Sequence, residues 1–290
     1  MNNNLILITG ATGKQGGAVA RLLLQKGRKV KAFTRKPESP AAQELQRLGA
    51  ELAAGSLDDL DSIKAAAQGA QTIFAMSTPY EAGMEVETQQ GLNVAEAAKA
   101  TGVQHLVYTS VGSAHKNTGI PHFDSKYKVE QRIQALGLPH TFIRPVYFME
   151  NILAPWSLPA LQNGTVAVAL PPQRKLHQIA VADIAAFAVL VIENPARFLG
   201  KGIDIASDDL SGEHMAEILS RVTGRKLAYF EVPIDQVRAM SEDTALMFEW
   251  FDRVGYQVDV AALRRDYAEV KWHSFETWAK LQDWSALNKA

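Results

Sequence analysis

The sequence predicts an α/β protein built on a doubly wound parallel sheet, with a smaller α/β lobe toward the C-terminus. Three observations carry this. Short apolar runs alternate with helical periods through the first half of the chain, glycines close one helix after another, and a glycine-rich turn joins the first strand to the first helix. At 290 residues the chain can bury a large core without covalent staples.

Each element follows from its local pattern. Leu5–Ile8 reads as a buried strand, and Ala18–Gln25 as a helix closed by Gly27. Lys29–Phe33 is a strand, Ala41–Leu48 a helix closed by Gly49, and Glu51–Ala54 a strand. Asp58–Ala67 is a helix capped by Asp58 or Asp59 and closed by Gly69. Thr72–Met76 is a strand, Glu85–Ala100 a helix closed by Gly102, and His105–Thr109 a strand. Ser125–Leu136 is a helix closed by Gly137, and Thr141–Ile143 a sixth strand that ends at Arg144-Pro145.

Composition shifts near Pro145: fourteen of the 20 glycines precede it and all five tryptophans follow it. The glycines suit tight βα turns, and the aromatics suit a lobe that closes over a ligand. The expected division is a parallel-sheet domain over residues 1–145, to which the chain returns around 176–206, and the smaller lobe over 146–290. In that second part Val181–Ile192, Gly212–Val222 and Ala245–Phe251 read as helices, and Val166–Leu170, Ile203–Ala206 and Ala228–Val232 as short strands.

The most informative stretch is Leu5-Ile6-Leu7-Ile8-Thr9-Gly10-Ala11-Thr12-Gly13-Lys14-Gln15-Gly16-Gly17. An apolar strand runs into Gly-x-x-Gly-x-x-Gly and a helix follows at once. Gly10 permits the tight turn, Gly13 lets the backbone approach a pyrophosphate, and Gly16 lets helix and strand pack closely. The N–H groups of the first helical turn, from Thr12 through Lys14 and Gln15, then face an anion. This is a Rossmann-type dinucleotide turn, and the next strand selects the dinucleotide. NAD proteins end that strand with Asp or Glu to hold the ribose 2′-hydroxyl. Here it ends Phe33-Thr34-Arg35-Lys36. A guanidinium stands where the carboxylate would, able to fork onto a 2′-phosphate, with Lys36 as a second cation. The expected cofactor is NADP(H).

The two-residue spacing between the first glycines resembles the extended and atypical branches of the short-chain dehydrogenase/reductase superfamily. That resemblance implies that the turn Gly55-Ser56-Leu57 borders the adenine, with Ser56 in place of the usual acid. The loop Ser77-Thr78-Pro79 suits a segment over the cofactor's ribose, with an ordinary connecting loop as the alternative. In that superfamily Tyr-x-x-x-Lys on a helix supplies the proton and holds the nicotinamide ribose. Here Lys126 occupies the lysine position and His122 the tyrosine position. His122 is a candidate proton donor, and a surface or capping role is the alternative. Together, residues 10–17, Thr34-Arg35, His122-Phe123-Asp124-Ser125-Lys126 and Val146-Tyr147-Phe148-Met149-Glu150-Asn151 resemble the NmrA-like family, with HSCARG-like NADP sensors as the nearest type. The resemblance implies that Lys126 contacts the nicotinamide ribose and that Val146, Tyr147, Phe148 and Asn151 wall the nicotinamide end. Tyr147 is then the second candidate proton donor.

Other chemistry finds little support. There is no cysteine, hence no thiol nucleophile and no thiolate metal site. The seven histidines are scattered, so no metal is expected. Gly-x-Ser-x-Gly is absent, against an α/β-hydrolase. A net charge of −1, from 30 basic and 31 acidic residues, gives no footprint for nucleic acid. The apolar start lacks a basic flank and stops after four residues, and the run at 185–192 is too short to span a bilayer. A cytoplasmic protein is the expectation. Two functions fit: an NADP(H)-responsive regulator with a protein partner, favoured by the missing tyrosine, or an NADPH-dependent reductase of a quinone or other aromatic acceptor.

Overall fold

The computed structural model describes residues 4–77 and 83–288. Its first half alternates strand and helix: β1 (Leu5–Ile8), α1 (Lys14–Gln25), β2 (Lys29–Thr34), α2 (Pro40–Arg47), β3 (Glu51–Ala54), α3 (Leu60–Ala67), β4 (Ala70–Ala75), α4 (Gly83–Thr101), β5 (His105–Thr109), α5 (Pro121–Ala135) and β6 (His140–Pro145). Then come β7 (Tyr147–Phe148), α6 (Leu158–Gln162), β8 (Thr165–Val168), β9 (Lys175–Ile179), α7 (Val181–Glu193), α8 (Pro195–Phe198), β10 (Gly202–Ile205), β11 (Asp208–Ser211), α9 (Gly212–Thr223) and β12 (Ala228–Glu231). The chain closes with α10 (Ile234–Met240), α11 (Glu242–Arg253), α12 (Val260–Asp266) and α13 (Phe275–Lys280).

A seven-stranded sheet runs in the order β10-β6-β5-β4-β1-β2-β3. The pairs from β6 to β3 are all parallel. Phe142 N–H donates to Lys201 O and Val146 N–H to Ile205 O, a constant offset that makes β10 parallel too. The seventh strand, β10, overlaps the short strand read at Ile203–Ala206 and joins the six strands of the first half beside β6. From β1 the chain winds outward to β3, then crosses back to β4 on the other side of β1. A crevice outside the strand ends at such a reversal is where open α/β sheets bind ligands.

The helices form where sequence and tertiary packing agree. Ser39 caps α2, its Oγ accepting from Ala42 N–H, with Pro40 opening the helix. Asp59 caps α3 by accepting from Asp61 and Ser62 N–H. Helices α4 and α5 lie close because Gly91 faces Val129: a Cβ on Gly91 would stand 2.5 Å from a Val129 methyl. The core behind the sheet gathers Leu7, Ile73, Val94, Leu106, Val129 and Phe142, all nearly inaccessible. A bidentate ion pair, Arg144 to Glu130, is buried between β6 and α5, at 2.9 and 2.6 Å.

The chain divides into two compact units. The first is Met1–Asn117, Pro121–Arg144 and Ile184–Ile203; the second is Thr118–Ile120, Pro145–Asp183 and Asp204–Ala290. The second unit carries a three-stranded sheet, β11-β9-β7, and a two-stranded one, β12-β8. Its own core includes Met149, Leu161, Leu210, Leu219, Phe275 and Trp278. Glu150 holds this unit together: its Oε1 accepts from Val181 N–H at the start of α7 and from the Trp278 indole, both at 3.0 Å. Among the described residues no helix is long and apolar enough to cross a membrane.

Candidate functional site

The turn between β1 and α1 is set by backbone constraints. Gly10 takes φ +60, a conformation that L side chains rarely adopt, and Gly13 N–H donates back to its carbonyl at 2.9 Å. A Cβ on Gly16 would lie 2.4 Å from Gly10 O and 2.7 Å from Thr9 O, so helix and strand approach as only glycine allows. Thr9 ties the neighbouring strand in: its hydroxyl donates to Met76 O and accepts from Met76 N–H. Helix α1 starts at Lys14, four residues before the sequence pattern places it, because the glycines that blur the helical period are themselves helical. Gly13 is its N-cap and no side chain caps it. The first-turn N–H groups are therefore left for an anion.

Gly10, Thr12 and Gly13 line a pocket of about 610 Å³ at the carboxyl ends of β1, β2, β3 and β4. Arg35, Lys36, Gly55, Ser56, Leu57 and Ser77 line it as well. So do Phe33, Thr34, Ser39, Pro40, Ala41, Met76 and Gln90, most of which the sequence does not single out. Ser39 and Pro40 had a signal, since a capping serine and an N1 proline follow directly on Arg35-Lys36. Gln90 had none, because α4 brings it in from a distant part of the chain. Thr78 lies outside the described residues.

The pocket's residues fit an anionic dinucleotide. A Cβ on Gly13 would meet only Gly10 O, at 3.3 Å, and would otherwise fill pocket space. A bare helix N-terminus, two cations and several hydroxyl side chains, Thr12 and Ser39 among them, line one cleft, a donor set that suits two separate phosphate groups. Lys14, Gln15 and Gly16 sit on α1 behind the turn. The Gln15 side chain is committed to β5, where its carbonyl accepts from the Thr109 hydroxyl at 3.0 Å.

Helix α5 starts at Pro121, four residues before the sequence pattern places it, so His122 lies in its first turn. Its ring stands edge-on to Phe123 at 4.8 Å. Lys126, four residues on, donates to Ser77 O at 3.1 Å and to Glu87 Oε1 at 2.6 Å. Glu87, on α4, is buried, and its other oxygen accepts from the Ser125 hydroxyl at 2.6 Å. No sequence pattern marks Glu87. Beneath it, burial holds the Tyr108 phenol far above its ordinary pKa, and the charges of Glu87 and Glu130 push the same way. That phenol is fully enclosed, so it is no substitute for a solvent-facing tyrosine acid.

Val146, Tyr147, Phe148 and Asn151 belong to the second unit. Val146 is buried. Tyr147 pairs with Gln178 across β7 and β9, and its ring packs edge-on against Phe251 at 6.2 Å. Phe148 pairs with Ile179, and Asn151 lies in a 3-10 turn over Met149–Leu153.

Comparison with known proteins gives a family-wide match. The model of the NmrA-like family matches residues 2–279. An NAD(P)H azoreductase of Xenophilus azovorans is 29% identical over 242 residues, 81% of this chain and 79% of that protein. The NADPH-dependent quinone oxidoreductase QOR2 of Escherichia coli, solved with NADPH, superposes with a TM-score of 0.79 at 25% identity, over 94% of this chain and 98% of that one. NmrA, a negative transcriptional regulator solved with NADP, shares the fold with a TM-score of 0.80 at 23% identity, over 97% and 95% of the two chains.

Proposed function

The chain belongs to the NmrA-like family, and on that premise we propose that it binds NADP(H) and reduces a quinone or another flat aromatic acceptor. The observation that carries the cofactor is the end of β2: Arg35 and Lys36 stand on the same pocket as the Gly10–Gly13 turn, with no carboxylate at that strand end. In this reading the α1 N-terminus binds the pyrophosphate and Arg35, Lys36 and Ser39 bind the 2′-phosphate. Lys126, held by Glu87 and Ser77 O, offers its remaining N–H to the nicotinamide ribose. Bound NADPH supplies the hydride.

The acceptor class follows from what α5 lacks. His122 replaces the phenol that would protonate a carbonyl substrate, so an acceptor that takes a hydride readily, and its proton from water, suits the site. The azoreductase and quinone oxidoreductase relatives support this reading. A second reading, an NADP(H)-responsive regulator, uses the same pocket without turnover, and the absent phenol favours it as well. The loss of the NADPH absorbance band separates them. Consumption of NADPH in proportion to protein, with a panel of quinones and azo dyes, supports the reductase. Saturable binding with no consumption supports the regulator, and no binding refutes both.

A further inference from the structure

Pocket residue Gln90 has no role in the reading above, and its hydrogen bonding gives it one. Its Nε2 donates to Asp58 Oδ1 at 2.9 Å. The other Asp58 oxygen accepts from the Ser56 hydroxyl at 3.0 Å, and that hydroxyl in turn accepts from Asp58 N–H at 3.2 Å. A carboxylate only accepts, so the amino end of the Gln90 amide must face Asp58, and the carbonyl Oε1 is the end left over. One turn further along α4, Asn93 donates to Leu57 O at 2.9 Å and pins the β3–α3 turn against the helix. Ser56, Leu57 and Gln90 thus form one fixed wall of the pocket.

The chemistry of NADP locates the base relative to that wall. The 2′-phosphate sits on the adenosine ribose, so the adenine lies within one nucleoside of Arg35 and Lys36. The next strand end beside β2 is that of β3, which leads directly into Gly55-Ser56-Leu57. Leu57 offers an apolar surface to the ring, and the orientated amide of Gln90 offers an acceptor to its edge.

We propose that Gln90, orientated by Asp58, reads the 6-amino group of the adenine and makes the site specific for an aminopurine dinucleotide. This rests on the NADP(H) reading and names the residue that selects the base. An acceptor that meets a 6-amino group gains a hydrogen bond, whereas a 6-oxo group would bring acceptor against acceptor.

The test is calorimetric titration with NADPH and with its deaminated analogue, reduced nicotinamide hypoxanthine dinucleotide phosphate. The full-length protein is expected to bind NADPH about tenfold more tightly, the range of one hydrogen bond gained against one opposed. In Gln90→Leu the preference should collapse to about twofold or less, with binding of the analogue retained, which also shows the variant to be folded. Asp58→Asn frees the amide to turn over and should narrow the preference too. Equal affinity of the unmodified protein for both dinucleotides, or an undiminished preference in Gln90→Leu, would overturn the assignment. If NADPH itself fails to bind, the cofactor reading falls and this inference with it; binding without discrimination refutes the inference alone.

Discussion

Two glycines three residues apart should fail in opposite ways. In Gly16→Ala the new Cβ would stand 2.4 Å from Gly10 O, 2.7 Å from Gly10 C and 2.7 Å from Thr9 O, all of them backbone atoms. No side chain is available to swing away, so α1 must retreat from β1 by about 1 Å to restore an ordinary carbon–oxygen contact of about 3.4 Å. Overpacking of a tight interior costs roughly 1–3 kcal/mol, and an all-backbone clash belongs at the upper end, about 3 kcal/mol. In Gly13→Val the picture reverses. Gly13 has φ −91, which any L residue adopts, and its Cβ would meet only Gly10 O, at 3.3 Å. The fold should lose about 1 kcal/mol or less, while the isopropyl group occupies the approach to the α1 N-terminus and removes NADPH binding. Urea unfolding followed by circular dichroism, paired with NADPH titration, measures both effects. A Gly16→Ala protein as stable as its parent, or a Gly13→Val protein that binds NADPH unchanged, would refute the reasoning.

The buried His105 should make the protein acid-sensitive. Its Nε2 pairs with the Thr141 hydroxyl at 2.8 Å, that hydroxyl donates to Phe198 O, and its Nδ1 has no partner. Burial, and then His140 nearby, pull its pKa down from 6.5 to about 4. The unfolded chain takes up the proton first, so this stability is full above pH 6.5 and is lost as pH falls from there to about 4, roughly 3 kcal/mol in all. Urea midpoints for His105→Gln should show a flatter acid slope; the same slope as the parent would contradict this. Arg144→Met leaves the buried Glu130 carboxylate unpaired and should cost about 3–5 kcal/mol, partly recovered by adding Glu130→Gln, in the same unfolding assay. Lys126→Ala should weaken NADPH binding about tenfold, whereas His122→Phe should leave both binding and any turnover within about twofold, as titration and NADPH consumption would show.

The parallel sheet was legible because its signals are local. Strands β1, β2, β4 and β5 are short, largely buried runs, as at Leu5–Ile8 and His105–Thr109, each followed by a helical period and a glycine stop. Helix starts were less legible. Pro121 opens α5 and Lys14 opens α1, in stretches whose proline or glycines hide the apolar period. Strands β7, β9 and β11 escaped because β7 is only two residues long, β9 reads Lys-Leu-His-Gln-Ile, and β11 reads Asp-Asp-Leu-Ser. Their pairing comes from each other rather than from propensity. The pocket divides in the same way. The Gly10–Gly13 turn and Arg35-Lys36 lie next to strand ends that sequence can locate, whereas Glu87 and Gln90 reach their partners only because α4 packs against α3 and α5.

The central claim is that this site is built for the phosphorylated dinucleotide. Calorimetric titration of the unmodified protein with NADPH and NADH, at one salt concentration, tests it most directly. One charge-assisted contact to the 2′-phosphate is worth about 1.5–3 kcal/mol, so NADPH should bind roughly tenfold to a hundredfold more tightly than NADH. Equal affinities, or a preference for NADH, would contradict the role given to Arg35 and Lys36.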